Sequence, residues 1–195
     1  MSSAQLSDER IIRLRESVVN SPTIWKGDYA YFIHPLSDGV PRQSGEMLAE
    51  ARDIILEMVK WDDIDLILGI EAMGIPLASC ISIATGKPLV IGRKRPYELP
   101  GEVRVDQSTG YSKGSIFIND INPGERVFVI DDVISTGGTL RAVLAAVEKA
   151  GAIVQDVIAV FEKNSIVSEL VADTGWPIRS LVRVRMDGDQ VILLD

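Results

Sequence analysis

One run of apolar residues, "IDLILGI" at positions 64–70, constrains the fold of this chain more than any other feature. A strand with one face in water alternates apolar and polar residues, whereas this run is apolar at nearly every position and rich in isoleucine. Such a run is typical of a strand in the middle of a parallel sheet that is covered on both faces. We therefore expect an α/β fold.

Helical and strand patterns alternate along the rest of the chain. Between 43 and 61, apolar residues recur at helical spacing: Met47, Leu48, Ala51, Ile54, Ile55 and Met58. Further helices are predicted at 11–19, 75–84, 139–150 and 165–172, and further strands at 88–93, 115–119, 126–131 and 153–161. The polar segment 94–114 shows no sustained period and predicts a long loop, and the tail predicts a hairpin around "DGD". The chain, 1–195, thus predicts a single domain with a central parallel sheet flanked by helices on both faces.

Charge and composition exclude several classes of protein. A net charge of −8 argues against a protein that coats nucleic acid, which needs a basic face. No apolar run approaches the roughly 20 residues of a membrane helix, and the N-terminus lacks the apolar core of a signal peptide. Cys80 is the only cysteine, so no internal disulfide is possible. We expect a cytoplasmic protein without nucleic-acid or membrane partners.

The stretch "RVFVIDDVISTGGTL" at 126–140 carries the strongest functional signal. Asp131 and Asp132 stand at the expected carboxyl end of a strand, where α/β folds bind ligands. Two carboxylates there could hold Mg²⁺, accept hydrogen bonds from a diol or accept a proton. The glycine-containing loop 135–139 that follows suits an anion at a helix N-terminus. Either feature alone is more often an ordinary turn, but together, in this order, they describe a site for ribose 5-phosphate.

Two further segments suit a polyanionic ligand. Arg93, Lys94 and Arg95 follow the strand at 88–93, and a basic cluster in an acidic protein favours such a ligand over the alternative of a solvated face. The segment 71–74 lies between a strand and a helix, so it offers a second helix N-terminus. From these residues alone an ordinary strand-to-helix turn is an equally good interpretation of 71–74.

"VFVIDDVISTGGT" resembles the phosphoribosyl-pyrophosphate (PRPP) signature of type I phosphoribosyltransferases. "YFIHPLSDGVP", "GIEAMGIPLA", "RKRPYELPGEV", "TGYSKG" and "VFEK" extend the resemblance to the archaeal hypoxanthine/guanine phosphoribosyltransferases over nearly the whole chain. This resemblance implies the type I fold, with a small hood formed from 1–45 and 162–195 and a flexible flap at about 94–115. It also implies transfer of ribose 5-phosphate from PRPP to hypoxanthine and guanine, release of pyrophosphate, use of Mg²⁺ and a homodimer.

The resemblance assigns roles to residues of the PRPP site. Asp131 and Asp132 hold the ribose hydroxyls, directly or through Mg²⁺, and the flap residues Tyr111 and Lys113 act in catalysis. The 5-phosphate is expected to bind Ser135, Thr136, Gly137, Gly138 and Thr139. Pyrophosphate is expected to bind Glu71, Ala72, Met73, Gly74, Arg93, Lys94 and Arg95, with main-chain N–H groups and often a strained peptide in the first of these segments.

The choice of purine depends on hydrogen bonding. A 6-oxopurine presents an acceptor at O6, and Lys163 matches the lysine that reads it in the family. A surface ion pair with Glu162 is the alternative, and Ile134 is the other expected base contact. Ser135 stands where several relatives carry an aspartate that acts at N7, which leaves water, Asp131 or Asp132 for that proton.

Two other functions compete with this interpretation. Adenine-specific relatives carry Ser-Arg-Gly where this chain has Ala72-Met73-Gly74, and a glutamate where it has Gly110. An adenine phosphoribosyltransferase is therefore disfavoured, and Lys163 disfavours it further. A non-catalytic PRPP sensor is the second alternative, weakened by the retained flap residues. His34, the only histidine, is expected to be structural.

Overall fold

The structure, a computed structural model, describes residues 8–27, 29–108 and 113–194, without the side chains of 107, 108 and 113. Its helices are α1 (Glu9–Val19), α2 (Pro35–Asp38), α3 (Gly45–Met58), α4 (Gly74–Thr85), α5 (Gly138–Lys149) and α6 (Ile166–Thr174), with a 3₁₀ turn at Trp61–Asp63. Its strands are β1 (Thr23–Lys26), β2 (Tyr29–Phe32), β3 (Leu66–Ile70), β4 (Leu89–Gly92), β5 (Val103–Ser108), β6 (Lys113–Ile118), β7 (Arg126–Ile134), β8 (Ile153–Lys163), β9 (Ile178–Asp187) and β10 (Gln190–Leu194).

The large sheet has the order β10-β9-β8-β7-β3-β4. Its strands run parallel except β10, which pairs antiparallel with β9 in the hairpin that the tail predicted. β1–β2 and β5–β6 form separate two-stranded antiparallel sheets. The predicted α/β fold with a central, mostly parallel sheet is confirmed, and every residue of β3 is buried, as its continuous apolar run requires.

Two apolar layers cover the two faces of the large sheet. On one face α1, α3 and α4 pack against residues such as Phe128 and Ile130 of β7. On the other face α5, α6 and the β5–β6 hairpin pack against Val127 and Val129 of the same strand. Successive side chains of a strand point to opposite faces of the sheet, so alternate residues along 127–130 of β7 enter different layers.

The prediction of a structureless loop over 94–114 is wrong in part. Residues 103–108 form β5, which pairs with β6 from Val103 opposite Ile118 to Ser108 opposite Lys113. The sequence "VRVDQS" alternates apolar and polar residues, and Val105 is buried in the layer beneath α5. This short alternation was obscured by the glycines and prolines around it.

β7 is longer than the sequence indicated. It continues through Asp131 and Asp132 to Ile134 rather than stopping at the paired acids. The reason is its neighbour: β8 runs to Lys163 and supplies backbone partners, with Val133 opposite Phe161 and Ile134 opposite Glu162. The two carboxylates therefore lie within a hydrogen-bonded strand.

The order of the strands reverses between β3 and β7. From β3 the chain moves outward to β4, and β7 then returns to the other side of β3. α4 leaves β3 toward one face, and α5 leaves β7 toward the other. Such a reversal opens a crevice at the carboxyl ends of the two strands, where α/β proteins bind ligands.

Gly74 permits the close packing at this crevice. A Cβ atom on Gly74 would lie 2.8 Å from the carbonyl oxygen of Ile130 and 3.6 Å from Oδ1 of Asp131. Only glycine therefore lets the first turn of α4 approach β7 this closely.

The segments that the resemblance assigned to a hood contact each other. Residues 178–194 form the β9–β10 end of the large sheet, and β1–β2 is a separate sheet whose Thr23 hydroxyl and Trp25 Nε1 donate to Asp189 in the β9–β10 turn. The division into hood and flap stays a prediction. Among the described residues, no helix has the length and apolar character to cross a membrane.

We predict that Gly74→Ala lowers the free energy of unfolding by about 1–3 kcal/mol, because the added methyl group meets a backbone oxygen that cannot turn away. Gly45→Ala is the matched control, since a Cβ there meets nothing within 4 Å. It should leave stability unchanged or raise it by up to about 1 kcal/mol. Urea unfolding of both variants tests this, and equal effects would contradict the packing role of Gly74.

Candidate active site

Asp131 and Asp132 form a buried carboxylate pair at the crevice. The backbone N–H of Asp132 donates to Oδ1 of Asp131 at 2.9 Å, and Asp131 is only 9% exposed. Burial raises the pKa of Asp131 to about 6. Burial, followed by the charge of Asp131, raises the pKa of Asp132 well above its usual value. The pair thus favours a bound cation, a hydroxyl donor or a shared proton.

The pair fits Mg²⁺ only if a substrate completes the coordination shell. Among the described residues, no three or more His, Cys, Asp or Glu side chains cluster as a metal site. Mg²⁺ commonly takes one or two carboxylates and fills its other positions with water and substrate phosphates. Asp131 and Asp132 match that donor set.

The loop after β7 presents backbone donors. Gly137 has φ +72° and precedes α5, which begins at Gly138. In the described part of the chain, the N–H groups of Ser135, Thr136 and Gly137 make no hydrogen bond to protein. A bend of available N–H groups at a helix N-terminus suits a phosphate. The predicted residues 135–139 are therefore brought together as a cradle.

The segment 71–74 lies across the crevice from this loop. The peptide bond between Glu71 and Ala72 is cis. The Glu71 carboxylate accepts from Nε of Arg93 at 2.8 Å and from the backbone N–H of Lys94 at 3.0 Å. The Lys94 N–H is the main cause that holds the pKa of Glu71 below its usual value. Glu71 thus ties the segment to the end of β4.

The three basic residues 93–95 have different environments. Arg93 is engaged by Glu71, and Nε of Arg95 donates to the hydroxyl of Tyr97 at 3.1 Å. Lys94 makes no ion pair within the described residues, and its charge acts to lower the pKa of Asp131. Within the described residues Arg95 makes no ion pair either, so both Lys94 and Arg95 keep charge available for an anion, and Lys94 acts on the carboxylate pair.

A cavity of about 290 Å³ adjoins Asp132. It is lined by Lys26, Tyr29, Tyr31, Phe32, Ser37, Asp38, Asp132, Val133, Ser135 and Lys163. Its size is close to the lower limit of small-molecule sites, roughly 300 Å³. The sequence did not identify the lining from β2 and α2, because their contribution depends on how the β1–β2 hairpin folds over the large sheet.

Lys163 is buried among aromatic rings in this cavity. Its Nζ donates to the hydroxyl of Tyr29 at 3.3 Å and lies 4.9 Å from the centroid of Phe32. Rings at such distances stabilise a cation. The predicted alternative, an ion pair between Lys163 and Glu162, does not form: the Glu162 carboxylate accepts from the backbone N–H of Val167 and from the Ser180 hydroxyl.

Other predicted residues do not line the cavity or lie outside the described residues. Ile134 is 2% exposed and packs in the layer beneath α5, whereas Val133 lines the cavity. The cavity lining thus includes the neighbour of Ile134 and not Ile134 itself, because a shift of one position along a strand changes the face on which a side chain lies. Tyr111 and the side chain of Lys113 lie outside the described residues.

His34 caps α2, the helix whose Ser37 and Asp38 line the cavity. Its Nδ1 accepts from the backbone N–H of Leu36 at 3.1 Å, which caps α2, and its Nε2 lies 3.0 Å from the Ser17 hydroxyl. Ser17 donates its own proton to the carbonyl of Leu14, so Nε2 carries the imidazole proton. Burial lowers the pKa of His34 to about 4. The expected structural role fits these contacts.

Comparison with known proteins identifies the family of this chain. The sequence model of the phosphoribosyl transferase domain matches residues 43–173, which contain both loops of the crevice. A hypoxanthine/guanine phosphoribosyltransferase of Methanosalsum zhilinae is 49% identical over 181 residues, covering 93% of this chain and 94% of that protein. The chain belongs to the phosphoribosyl transferase family. A Ferroglobus placidus protein of the same name is 50% identical over 183 residues, covering 94% of this chain and 97% of that protein.

Solved structures agree with the fold. The adenine phosphoribosyltransferase of Rhodothermus marinus superposes with a TM-score of 0.73 at 23% identity, covering 90% of this chain and 98% of that one. The adenine phosphoribosyltransferase of Thermoanaerobacter pseudethanolicus superposes with a TM-score of 0.72 at 25% identity, covering 87% of this chain and 99% of that one. This phosphoribosyl transferase therefore has the α/β architecture of the type I enzymes.

We predict that His34 titrates with a pKa of about 4 in the folded protein. A folded pKa below the unfolded value of about 6.5 means that the unfolded state binds the proton first, so this group's stabilisation is present above 6.5 and decreases by about 1.4 kcal/mol per unit as the pH falls toward 4. His34 is the only histidine, so NMR follows it without ambiguity. The same resonance in urea is the control, and a native midpoint near 6.5 would contradict the buried cap.

We predict that Asp131→Asn stabilises this phosphoribosyl transferase while abolishing its activity. The folded pKa of about 6 exceeds the unfolded one, so the carboxyl favours folding when protonated and disfavours it once ionised above 6. Because Asn removes that charge, the free energy of unfolding at pH 8 should rise by about 1–3 kcal/mol. Urea unfolding at pH 8 and pH 4 measures it; the gain should shrink at pH 4, and a gain independent of pH would contradict this cause.

Proposed function

We propose that this protein is a purine-salvage enzyme that transfers the 5-phosphoribosyl group of PRPP to hypoxanthine and guanine, giving IMP and GMP plus pyrophosphate. The curated relatives that are 49% and 50% identical over most of the chain bear the name of this activity. The observation that carries the proposal is Lys163, a lysine without a carboxylate partner in the described site, in a cavity that also contains Asp132 and Ser135.

The cavity suits a 6-oxopurine. The ammonium group of Lys163 is a donor only, so it matches the O6 acceptor of hypoxanthine and guanine and opposes the amino group of adenine. Tyr29, Tyr31, Phe32 and Val133 give the cavity aromatic and apolar walls for a flat ring. In this proposal Val133, rather than Ile134, contacts the base.

PRPP would extend from this cavity along the crevice. The N–H groups of 135–137, with Gly138 and Thr139 at the start of α5, bind the 5-phosphate. Asp131 and Asp132 accept hydrogen bonds from the ribose hydroxyls or hold Mg²⁺. The segment 71–74 and Lys94 face the pyrophosphate, while Glu71 holds Arg93 in place.

The chemistry requires little covalent participation from the protein. The bond from C1 of the ribose to the pyrophosphate oxygen breaks, and the bond from C1 to N9 of the purine forms. The purine gives up its imidazole-ring proton to water, Asp131 or Asp132. Mg²⁺, held by Asp131 and Asp132, would supply positive charge to the oxygens that it binds. The residues of the crevice fix both reactants and stabilise the charge that separates at C1. We further propose that the flap, with Tyr111 and Lys113, excludes water, and that the enzyme is a cytoplasmic homodimer.

We predict pyrophosphate release from PRPP and Mg²⁺ with hypoxanthine and with guanine, and little with adenine. Lys163→Ala should lower kcat/KM for both 6-oxopurines by roughly 10- to 100-fold, because a hydrogen bond from a charged donor to O6 is lost. Lys149→Ala, at the exposed end of α5, is the control and should retain activity.

Other outcomes would assign a different function. Turnover with adenine alone would identify an adenine phosphoribosyltransferase and reject the role of Lys163. Tight binding of PRPP without turnover of any base would identify the sensor.

A further inference from the structure

We propose that Asp38 reads the substituent at carbon 2 of the purine and makes guanine the preferred 6-oxopurine. The proposal rests on the proposed function and concerns the same cavity. Asp38 lines that cavity together with Lys163 and Asp132, but it comes from α2, a four-residue helix that follows β2.

The carboxylate of Asp38 is held in one orientation. Its Oδ2 accepts from the backbone N–H of His34 at 3.0 Å and from the Ser37 hydroxyl at 2.7 Å. Within the described residues, Oδ1 has no hydrogen-bond partner. One oxygen is thus committed to the turn, and the other is an available acceptor beside the cavity.

The neighbours of Asp38 indicate which edge of the purine it meets. Asp38 and Asp132 line the same cavity, so the two carboxylates face the same ligand space. Asp132 belongs to the ribose-hydroxyl side of the site, and Ser135 begins the phosphate cradle. In a nucleotide with the common anti conformation, the C8 edge faces the 5-phosphate, and the edge with N3 and C2 lies away from it. With Lys163 assigned to O6 and Asp132 to the ribose, the remaining acceptor of the cavity, Asp38, is assigned to the side of carbon 2.

Carbon 2 is the position at which the 6-oxopurines differ. Guanine carries an amino group there, hypoxanthine a hydrogen and xanthine a carbonyl oxygen. An ionised carboxylate accepts hydrogen bonds only, so it favours the amino group, gains nothing from hydrogen and repels the carbonyl. Asp38 therefore predicts the order guanine, hypoxanthine, xanthine for kcat/KM.

Asp38→Asn inverts this preference for a structural reason. The His34 N–H needs an acceptor, whereas the Ser37 hydroxyl can also donate to the His34 carbonyl at 3.3 Å. The amide oxygen therefore takes the place of Oδ2, and the NH₂ group turns to the cavity. A donor then replaces the available acceptor. We expect kcat/KM to fall roughly 10- to 100-fold for guanine, to change less than about threefold for hypoxanthine, and to rise about tenfold for xanthine.

The experiment measures pyrophosphate release with the three bases for the wild type, Asp38→Asn, Asp38→Ala and Asp62→Asn. Asp62 is exposed and is not among the residues that line the cavity, so its variant should match the wild type. Asp38→Ala should lose the guanine preference without gaining activity on xanthine. The test therefore does not depend on whether the asparagine side chain of Asp38→Asn takes the expected orientation.

Two results would overturn the assignment of Asp38 alone. One is an unchanged ratio of guanine to hypoxanthine in both Asp38 variants. The other is an equal fall for both bases, which a general structural or N7 role would give. A wild-type enzyme that turns over neither 6-oxopurine would instead reject the proposed function, and this assignment with it.

Discussion

The burial of two adjacent carboxylates in the central strand is the constraint on which the rest of the structure depends. Burial raises the pKa of both Asp131 and Asp132, and the charge of Asp131 raises that of Asp132 further. Such a pair is tolerated only where a large apolar core offsets its free-energy cost, and the two layers that enclose β7 provide that core. The buried pair thus lowers the free energy of unfolding, and a ligand that brings a cation or hydroxyl groups would supply the partners that the two carboxylates lack.

Topology gathers the other groups around this pair. Three neighbouring strands each end in one part of the site: β3 in the segment 71–74, β7 in the loop 135–137 and β8 in Lys163. Because the strand order reverses between β3 and β7, the two helix N-termini approach from opposite faces and leave a crevice between them. Gly74 sets the width of that crevice, since its missing side chain lets α4 approach the backbone of β7.

Much of this arrangement was predictable from the sequence, because its cause is local. Continuous apolar runs and helical spacing identified the central strands and most helices, and the acid pair followed by "STGGT" identified the loop that presents backbone N–H groups at the start of α5. What depends on distant partners was not predictable. The length of β7 is determined by β8, the face of Val133 by the exact register of that strand, and the lining from Tyr29 to Asp38 by a separate hairpin. The strand at 103–108 did carry a local signal, the alternation "VRVD", which turn residues on both sides obscured.

The environment of Lys163 explains how one charged group can define a binding preference. A lysine paired with Glu162 would satisfy its charge within the protein and offer little to a base. Instead Glu162 caps α6 and binds Ser180, so its negative charge is used elsewhere. The rings around Lys163 stabilise its positive charge but accept hydrogen bonds only weakly, and Tyr29 supplies a single oxygen at 3.3 Å. Donor capacity therefore remains on Nζ, and the proposed function assigns it to the O6 acceptor of a purine.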